Sequence, residues 1–434
     1  MSQLENVFSD IANSIRTKLN TANTYTPGQM ASAIGDIPSY DVTKYTTLLD
    51  GIMDHSLQNL SYEGHTNVGR ASFNNFQQLT DVNLPNVQTI GIDAFYNCGY
   101  LQNVNLPNVT FVDNSAFERC CNIRELNIPK LETANRRAFN MGYNLRGELN
   151  LPNLVNARSW SFAYCNNVTD FILPNLVNAD EAAFSWDNRL VNFYAPNLTN
   201  IGPQIFYECD ALANFYAPNL HVIGQEAFYG CDSLSDFDFS NITYIDRYAF
   251  RSSGIGNINI GLSNNIGVSA FQYCNNIIDV SFPNLVRAND SLLCRCTNLV
   301  NAYMPNIVNA GSEIFRECNN LINVYLPNLE WVSNGMFEYD TNLSILDFPK
   351  VNALNDYSFY DCTNLNTLIL RANEVCNLRH SSRVFYNTPF NGYKPATLYV
   401  PNDLISSYQS AANWSTVLAT ANVSILPIEG SIYE

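Results

Sequence analysis

Counted from Phe73, an apolar anchor returns at Phe95, Phe117, Phe139, Phe162, Phe184, Phe206, Phe228, Phe250, Phe271, Leu293, Phe315, Phe337, Phe359 and Phe385, with most steps 22 residues long and the last 26. A fixed period between about 20 and 50 residues marks stacked-repeat architectures, in which each unit packs only on the units before and after it. The chain is therefore expected to form a repeat solenoid and not a closed globule.

The stretch between Pro196 and Pro218 shows the anatomy of one unit. Leu198, Ile201, Ile205, Phe206, Cys209, Leu212, Phe215 and Ala217 are apolar, and polar residues fill most of the intervening positions. Leu212, Phe215 and Ala217 have the spacing L-x-x-L-x-L, which recurs at Leu101, Val104 and Leu106, at Leu299, Ala302 and Met304, and at Leu321, Val324 and Leu326. This is the strand signature of leucine-rich repeats. Side chains alternate across a strand, so 215 and 217 are expected inside and 214 and 216 outside. Proline then closes the strand because it has no N–H for the next ladder bond. Pairs such as Leu198 with Ile201 and Leu329 with Val332 mark a second short extended stretch, and the anchor after it is expected on a tight helical turn. The fold class that follows is a leucine-rich-repeat solenoid of mostly short parallel strands with helical turns, spanning residues 69–390.

The ends depart from the repeat. Ser2 and Glu5 form a capping box, and Leu4, Phe8, Ile11, Ile15 and Leu19 follow it at helical spacing. Pro27 stands at the first position of a second short helix that Gly35 and Pro38 terminate. Residues 1–38 thus read as a small α-helical module with too little core of its own, and its apolar stripe is expected to anchor on a partner. Residues 39–68 read as a linker and N-terminal cap. Residues 391–434 read as a C-terminal cap, with a helix from Leu404 to Trp414 and a last strand from Val423 to Pro427.

Composition excludes several classes of function. The net charge is -17, from 39 acidic and 22 basic residues, which disfavours nucleic acid and anionic membrane surfaces as partners. No run of 18 apolar residues occurs, so no membrane insertion is expected. The N-terminus lacks a basic start followed by an apolar run, which argues against secretion by a standard signal peptide. Nine of the 12 cysteines lie three residues after an anchor, at Cys98, Cys120, Cys165, Cys209, Cys231, Cys274, Cys296, Cys318 and Cys362. That placement predicts an inward column of reduced thiols instead of a disulfide framework or a zinc site.

With the unit defined, a resemblance emerges. The run Ile223-Gly-Gln-Glu-Ala-Phe228-Tyr-Gly-Cys231-Asp-Ser-Leu234 is similar to the BspA-like leucine-rich repeat family, whose units follow I-G-x-x-A-F-x-x-C-x-x-L. The ending from Tyr399 to Trp414 resembles the closing segment of that family. Departures are local: Ser240 and Gly261 replace the strand-ending proline, Leu293 replaces the phenylalanine, and the unit at Arg146-Gly-Glu carries one extra residue. At the other end, Ile11-Ala-Asn-Ser-Ile-Arg16-Thr-Lys18 with Tyr25-Thr-Pro-Gly-Gln-Met30 and Ile34 is similar to a segment of bacteriophage tail, fibre and baseplate proteins of Gram-positive hosts. That likeness implies a virion-attached protein synthesised in the host cytoplasm, joined to tail or baseplate proteins through residues 1–38. Trimers are common among fibre-like tail proteins, so the same likeness implies a homotrimer.

Catalytic chemistry finds little purchase. His55, His65, His221 and His380 lie far apart, and a catalytic base needs a partner within hydrogen-bond reach. The Gly254-x-Gly256 pair precedes no Lys-Ser or helix start, so it is not expected to cradle phosphate. No enzyme activity, catalytic residue, cofactor or metal is expected. The outward strand positions are the candidate site: Asn192, Tyr194, Asn214 and Tyr216, and again Asn301, Tyr303, Asn323 and Tyr325. Tyrosine beside asparagine gives aromatic surface with adjustable hydrogen bonding, suited to recognition of sugars. The competing reading is that asparagines bond one another along the stack and tyrosines pack on their neighbours. Three functions fit these features: a phage receptor-binding protein that recognises a host surface glycan or protein, a bacterial cell-surface adhesin, and a passive virion structural or decoration protein.

Overall fold

A computed structural model describes residues 50–434 apart from 53, 64, 65, 257, 262–264 and 421. The helical module at 1–38, with Leu4, Phe8, Ile11, Ile15 and Leu19, lies outside the described residues, as does the start of the N-terminal cap. The chain folds as parallel β-solenoid turns, about 14 of them, with few helices. The turns fall into two compact units, Met1–Asn219 and Leu220–Glu434.

In the first unit the strands Asn59–Ser61, Asp81–Asn83, Asn103–Asn105 and Glu125–Asn127 pair in parallel in chain order. A second parallel sheet holds Arg146–Asn150, Asn167–Ile172, Asn192–Tyr194 and Asn214–Tyr216. Partners sit one repeat apart, Phe193 opposite Phe215 and Tyr194 opposite Tyr216, and a bulge between Val168 and Asp170 interrupts this regularity. The two-residue second strands, from Asn67–Val68 to Asn178–Ala179, make a six-stranded parallel sheet of their own. The second unit repeats the plan with the strands Ile258–Asn259, Asp279–Ser281, Asn301–Tyr303 and Asn323–Tyr325. Its last sheet joins Ile345–Phe348, Thr367–Leu370, Ala396–Val400 and Val423–Pro427.

The anchors stack face to face. In the first unit Phe73, Phe95, Phe117, Phe139 and Phe162 follow one another with ring centroids 5.2, 5.0, 5.4 and 5.2 Å apart. In the second, Phe228, Phe250 and Phe271 do the same at 5.1 and 5.4 Å before Leu293, fully buried, breaks the ring column. Burying one phenylalanine contributes about 1.5–3 kcal/mol, so the column dominates the core. Beside it, the thiols of the cysteine column donate to the anchor carbonyl of the preceding turn, for example Cys98 to Phe73 at 3.0 Å, Cys120 to Phe95 at 3.0 Å and Cys362 to Phe337 at 2.8 Å. All 12 cysteines are reduced, and burial raises the thiols of Cys120, Cys165, Cys296, Cys318 and Cys362 well above their ordinary range.

The anchor turn departs from the expected helical form. Residues two before and two after the anchor lie in the left-handed region, for example Asp93 (φ 56) and Asn97 (φ 57) around Phe95, or Glu313 and Glu317 (both φ 61) around Phe315. The consequence is seen in the hydrogen bonds. Asp93, Phe95 and Asn97 donate to Asn114, Ala116 and Glu118 of the next turn at 3.0, 2.8 and 2.8 Å, while Ala94, Tyr96 and Cys98 bond three residues back. A continuous helix would point every N–H along its own axis and leave none for the neighbouring turn. The left-handed residues cost roughly 1–2 kcal/mol each, yet without them this edge of each turn would bury unpaired backbone groups. Gly254 reflects the same closeness, since a Cβ there would lie 2.0 Å from the carbonyl oxygen of Asp232. It is a site of backbone approach, which accounts for the first glycine of the Gly-x-Gly pair.

At the C-terminal end the expected single helix is split into Ile405–Ser410 and Ala412–Leu418 by Ala411, whose ψ of 134 is extended. Tyr408 and Trp414 are buried there and clamp one residue: the Tyr408 hydroxyl accepts from the Cys376 N–H at 3.0 Å, and the Trp414 indole donates to the Cys376 carbonyl at 2.7 Å. Val423–Pro427 then pairs in parallel with Ala396–Val400, as the last-strand reading expected.

Candidate binding faces

The outward strand positions assemble from register alone. Because Asp170, Asn192 and Asn214 are partners across successive strands, as are Ile172, Tyr194 and Tyr216, the first unit presents a polar column next to an aromatic one. Asn214 Nδ2 donates to Asn192 Oδ1 at 2.7 Å, and Asn192 Nδ2 in turn donates to the Asp170 carboxylate. Tyr194 and Tyr216 stack at 5.1 Å with ring planes 3° apart. The second unit builds the same arrangement: Asn323 donates to Asn301 at 2.6 Å, Asn301 to Asp279 at 2.5 Å, and Tyr303 stacks on Tyr325 at 5.2 Å and 4°.

The eight expected residues thus form two sets of four, one in each unit. Both readings of these columns meet in the geometry. The asparagines do bond along the stack and the tyrosines do pack on their neighbours, and the rings nonetheless stay 42%, 51%, 48% and 51% exposed at Tyr194, Tyr216, Tyr303 and Tyr325. A rung that is already bonded is held still. What remains for a ligand is a rigid pair of rings and, on each amide, the N–H that the ladder does not use. Earlier in the first unit, Asn103, Asn105, Glu125 and Asn127 line a shallow open depression on the same kind of strand surface.

A second surface lies on the anchor turns, mostly at the positions one and two residues after each anchor, with Tyr143 four after Phe139 and Tyr248 two before Phe250. In the first unit Tyr143, Tyr164, Trp186 and Tyr207 run along it, with centroids 6.4, 5.7 and 5.5 Å apart. In the second unit arginines join: the Arg251 guanidinium lies over Tyr229, Tyr248 and Tyr273, and Arg295 lies over Tyr273. Sequence reasoning overlooked this ridge because it looked for outward residues only on strands. The signal was present as a recurrence of Tyr, Trp and Arg directly after the anchor.

Among the described residues the histidines lie apart from one another. The His55 ring lies tilted against Phe76 with centroids 4.5 Å apart, His221 is exposed, and His380 Nδ1 pairs with Asp356 at 2.7 Å on an exposed edge; His65 lies outside the described residues. Among the described residues no cluster of three or more His, Cys, Asp or Glu side chains is placed to hold a metal ion, and no helix is long and apolar enough to cross a membrane.

Parallel strands, a buried phenylalanine column and turns that share backbone bonds define a leucine-rich-repeat solenoid. The chain matches the BspA type leucine rich repeat region over residues 66–191, 158–278, 262–366 and 287–394, and it belongs to that family. Among solved structures, a leucine-rich repeat protein from Bacteroides ovatus superimposes with a TM-score of 0.64 at 19% identity, over 86% of this chain and 92% of that one. A leucine rich cell surface protein from Faecalibacterium prausnitzii aligns at 17% identity over 87% of this chain and 89% of its own, with a TM-score of 0.34. No curated protein sequence matches the chain.

Proposed function

We propose that this protein is a recognition protein that attaches to a glycan or protein on a bacterial cell surface. The observation that carries the reading is the paired tyrosines: two stacked, half-exposed rings held next to an amide ladder in each unit. A rigid aromatic platform loses little entropy when a sugar ring lies on it, and the flanking amides supply directional hydrogen bonds. Leucine-rich-repeat solenoids serve as binding scaffolds through extended surfaces of this kind.

The resemblance of residues 11–34 to phage tail, fibre and baseplate proteins supports a finer form of the proposal. In it the protein is a virion component, a homotrimer fixed to the tail or baseplate through Leu4, Phe8, Ile11, Ile15 and Leu19, and the solenoid face meets the host. The test uses the full-length protein with Tyr216→Ala and Tyr303→Ala. Binding to cells of the Gram-positive host should fall about tenfold or more in the double variant, the loss expected from removing two stacking rings. Unchanged binding by the folded double variant would overturn the strand-face reading. Mass spectrometry of purified virions tests the location, and absence of the chain from them would return the protein to the bacterial surface.

A further inference from the structure

We infer that the turn ridge of the second unit carries a distinct site for an acidic sugar, centred on Arg251 and Tyr273. The inference does not rest on the strand-face proposal, because it concerns other residues on another surface. In a chain with 39 acidic and 22 basic residues, a guanidinium readily finds a carboxylate, and the neighbouring turns do so. Arg295 pairs with Glu317 at 2.9 Å and Arg316 with Glu338 at 3.1 Å. Arg251 differs. Among the described residues no carboxylate lies within ion-pair distance of it, and Glu226 in the adjoining turn is engaged by Gln225 at 3.0 Å.

Three tyrosine rings surround Arg251 instead, with its guanidinium carbon 5.7 Å from the centroid of Tyr229, 5.5 Å from Tyr248 and 5.3 Å from Tyr273. Its Nε is buried without a hydrogen-bond partner, as expected for a guanidinium lying against aromatic faces. The rest of the side chain is half-buried. Such stacking fixes the planar fork before any ligand arrives, and a fixed fork is the geometry that takes a carboxylate through two parallel bonds.

Tyr273 adds a second donor. Arg295 donates to its phenolic oxygen at 2.6 Å, so the phenol's own proton is available to donate outward. Gly230 and Ser252, both small, occupy the position that Tyr273 and Arg295 fill in the next two turns. Fork, outward phenol and half-exposed rings together match a pyranose with a carboxyl group: the apolar face of the sugar lies on tyrosine, and its carboxylate meets Arg251.

Titration of the full-length protein with an oligomer of galacturonic acid tests the site, with the methyl-esterified oligomer and an oligoglutamate peptide as comparators. The acidic sugar should bind. Arg251→Gln should weaken it about tenfold or more, the loss of a charge-assisted bidentate pair. Arg251→Lys, which keeps the charge but not the fork, should also weaken it, and Tyr216→Ala should leave it unchanged. Esterification should abolish binding, and added salt should reduce it. The inference fails if the acid oligomer does not bind, if the ester binds equally well, if folded Arg251→Gln and Arg251→Lys both bind like the parent, or if oligoglutamate binds with the same dependence on Arg251. Host-cell attachment of Arg251→Gln separates the two surfaces, since attachment lost through Tyr216 and Tyr303 alone leaves this site to be judged by the sugar titration.

Discussion

Asp187 and Asp340 each stand three residues after an anchor, where nine other turns place cysteine, and both are fully buried. One oxygen is satisfied: Asp187 Oδ1 accepts from the Cys165 N–H at 2.7 Å and Asp340 Oδ1 from the Cys318 N–H at 2.8 Å. The second oxygen of each has no partner. Burial pushes both carboxyls well above the usual carboxylate range. The folded protein therefore holds these protons more tightly than the unfolded chain does. Their contribution to stability is complete below the ordinary value near 3.8 and is lost as pH rises through their raised folded values. Asp187→Cys should raise the thermal midpoint, by the equivalent of about 1–3 kcal/mol for relief of an unpaired buried group. The gain should be larger at pH 8 than at pH 5.5, and a gain independent of pH would contradict the account. A thiol reagent tests the same column: Cys121, half-exposed and off the column, should react first, because the column thiols are buried and closed to the reagent, although burial raises the Cys121 thiol as well. The column was legible from spacing, but the two aspartates were not. In sequence they read as ordinary polar loop residues.

At the scale of the element, two devices hold neighbouring turns together, and they differ in how openly the sequence declares them. The ring column was plain, because burial demands the same large apolar residue at every step. Phe184 touches Phe162, Phe171, Phe193 and Phe206 at 5.8, 4.8, 5.1 and 5.9 Å. Phe184→Ala should cost about 3–5 kcal/mol, measured as a lower denaturant midpoint. Asn214→Ala, which removes one exposed rung bond, should cost no more than about 1.5 kcal/mol, and the ordering of the two is the test. The left-handed turn was not legible. Its positive-φ positions carry Asp93 and Asn97, which tolerate that region, but also Trp160, Arg119, Tyr248 and Glu317, which do not favour it. No residue code marks these sites, because the adjoining turn's carbonyls impose the conformation and local preference does not. The tyrosine and asparagine columns lay between these extremes: alternation located them, and only coordinates revealed that each amide is already bonded.

For the whole molecule, composition acts against packing in one respect. With a net charge of -17 and a pI near 4.6, repulsion opposes non-specific association at neutral pH, and that protection is lost in acid. Solubility should pass through a minimum near pH 4.6 even though Asp187 and Asp340 favour the folded state there; light scattering across pH 3.5–8 at constant ionic strength measures it, and a minimum well away from that value would contradict the charge argument. Family membership was readable from a single well-formed unit, while the role of residues 1–38 rests on resemblance. The asparagine rungs carry one last implication. Each passes its bond in one direction, donating to the turn before and accepting from the turn after, until an aspartate ends the series. A copied turn would meet the same donor and the same acceptor at its two borders, so recombination can add or drop whole units without leaving an amide unmatched. Natural isolates are therefore expected to differ in the number of turns they carry sooner than in the residues that line them.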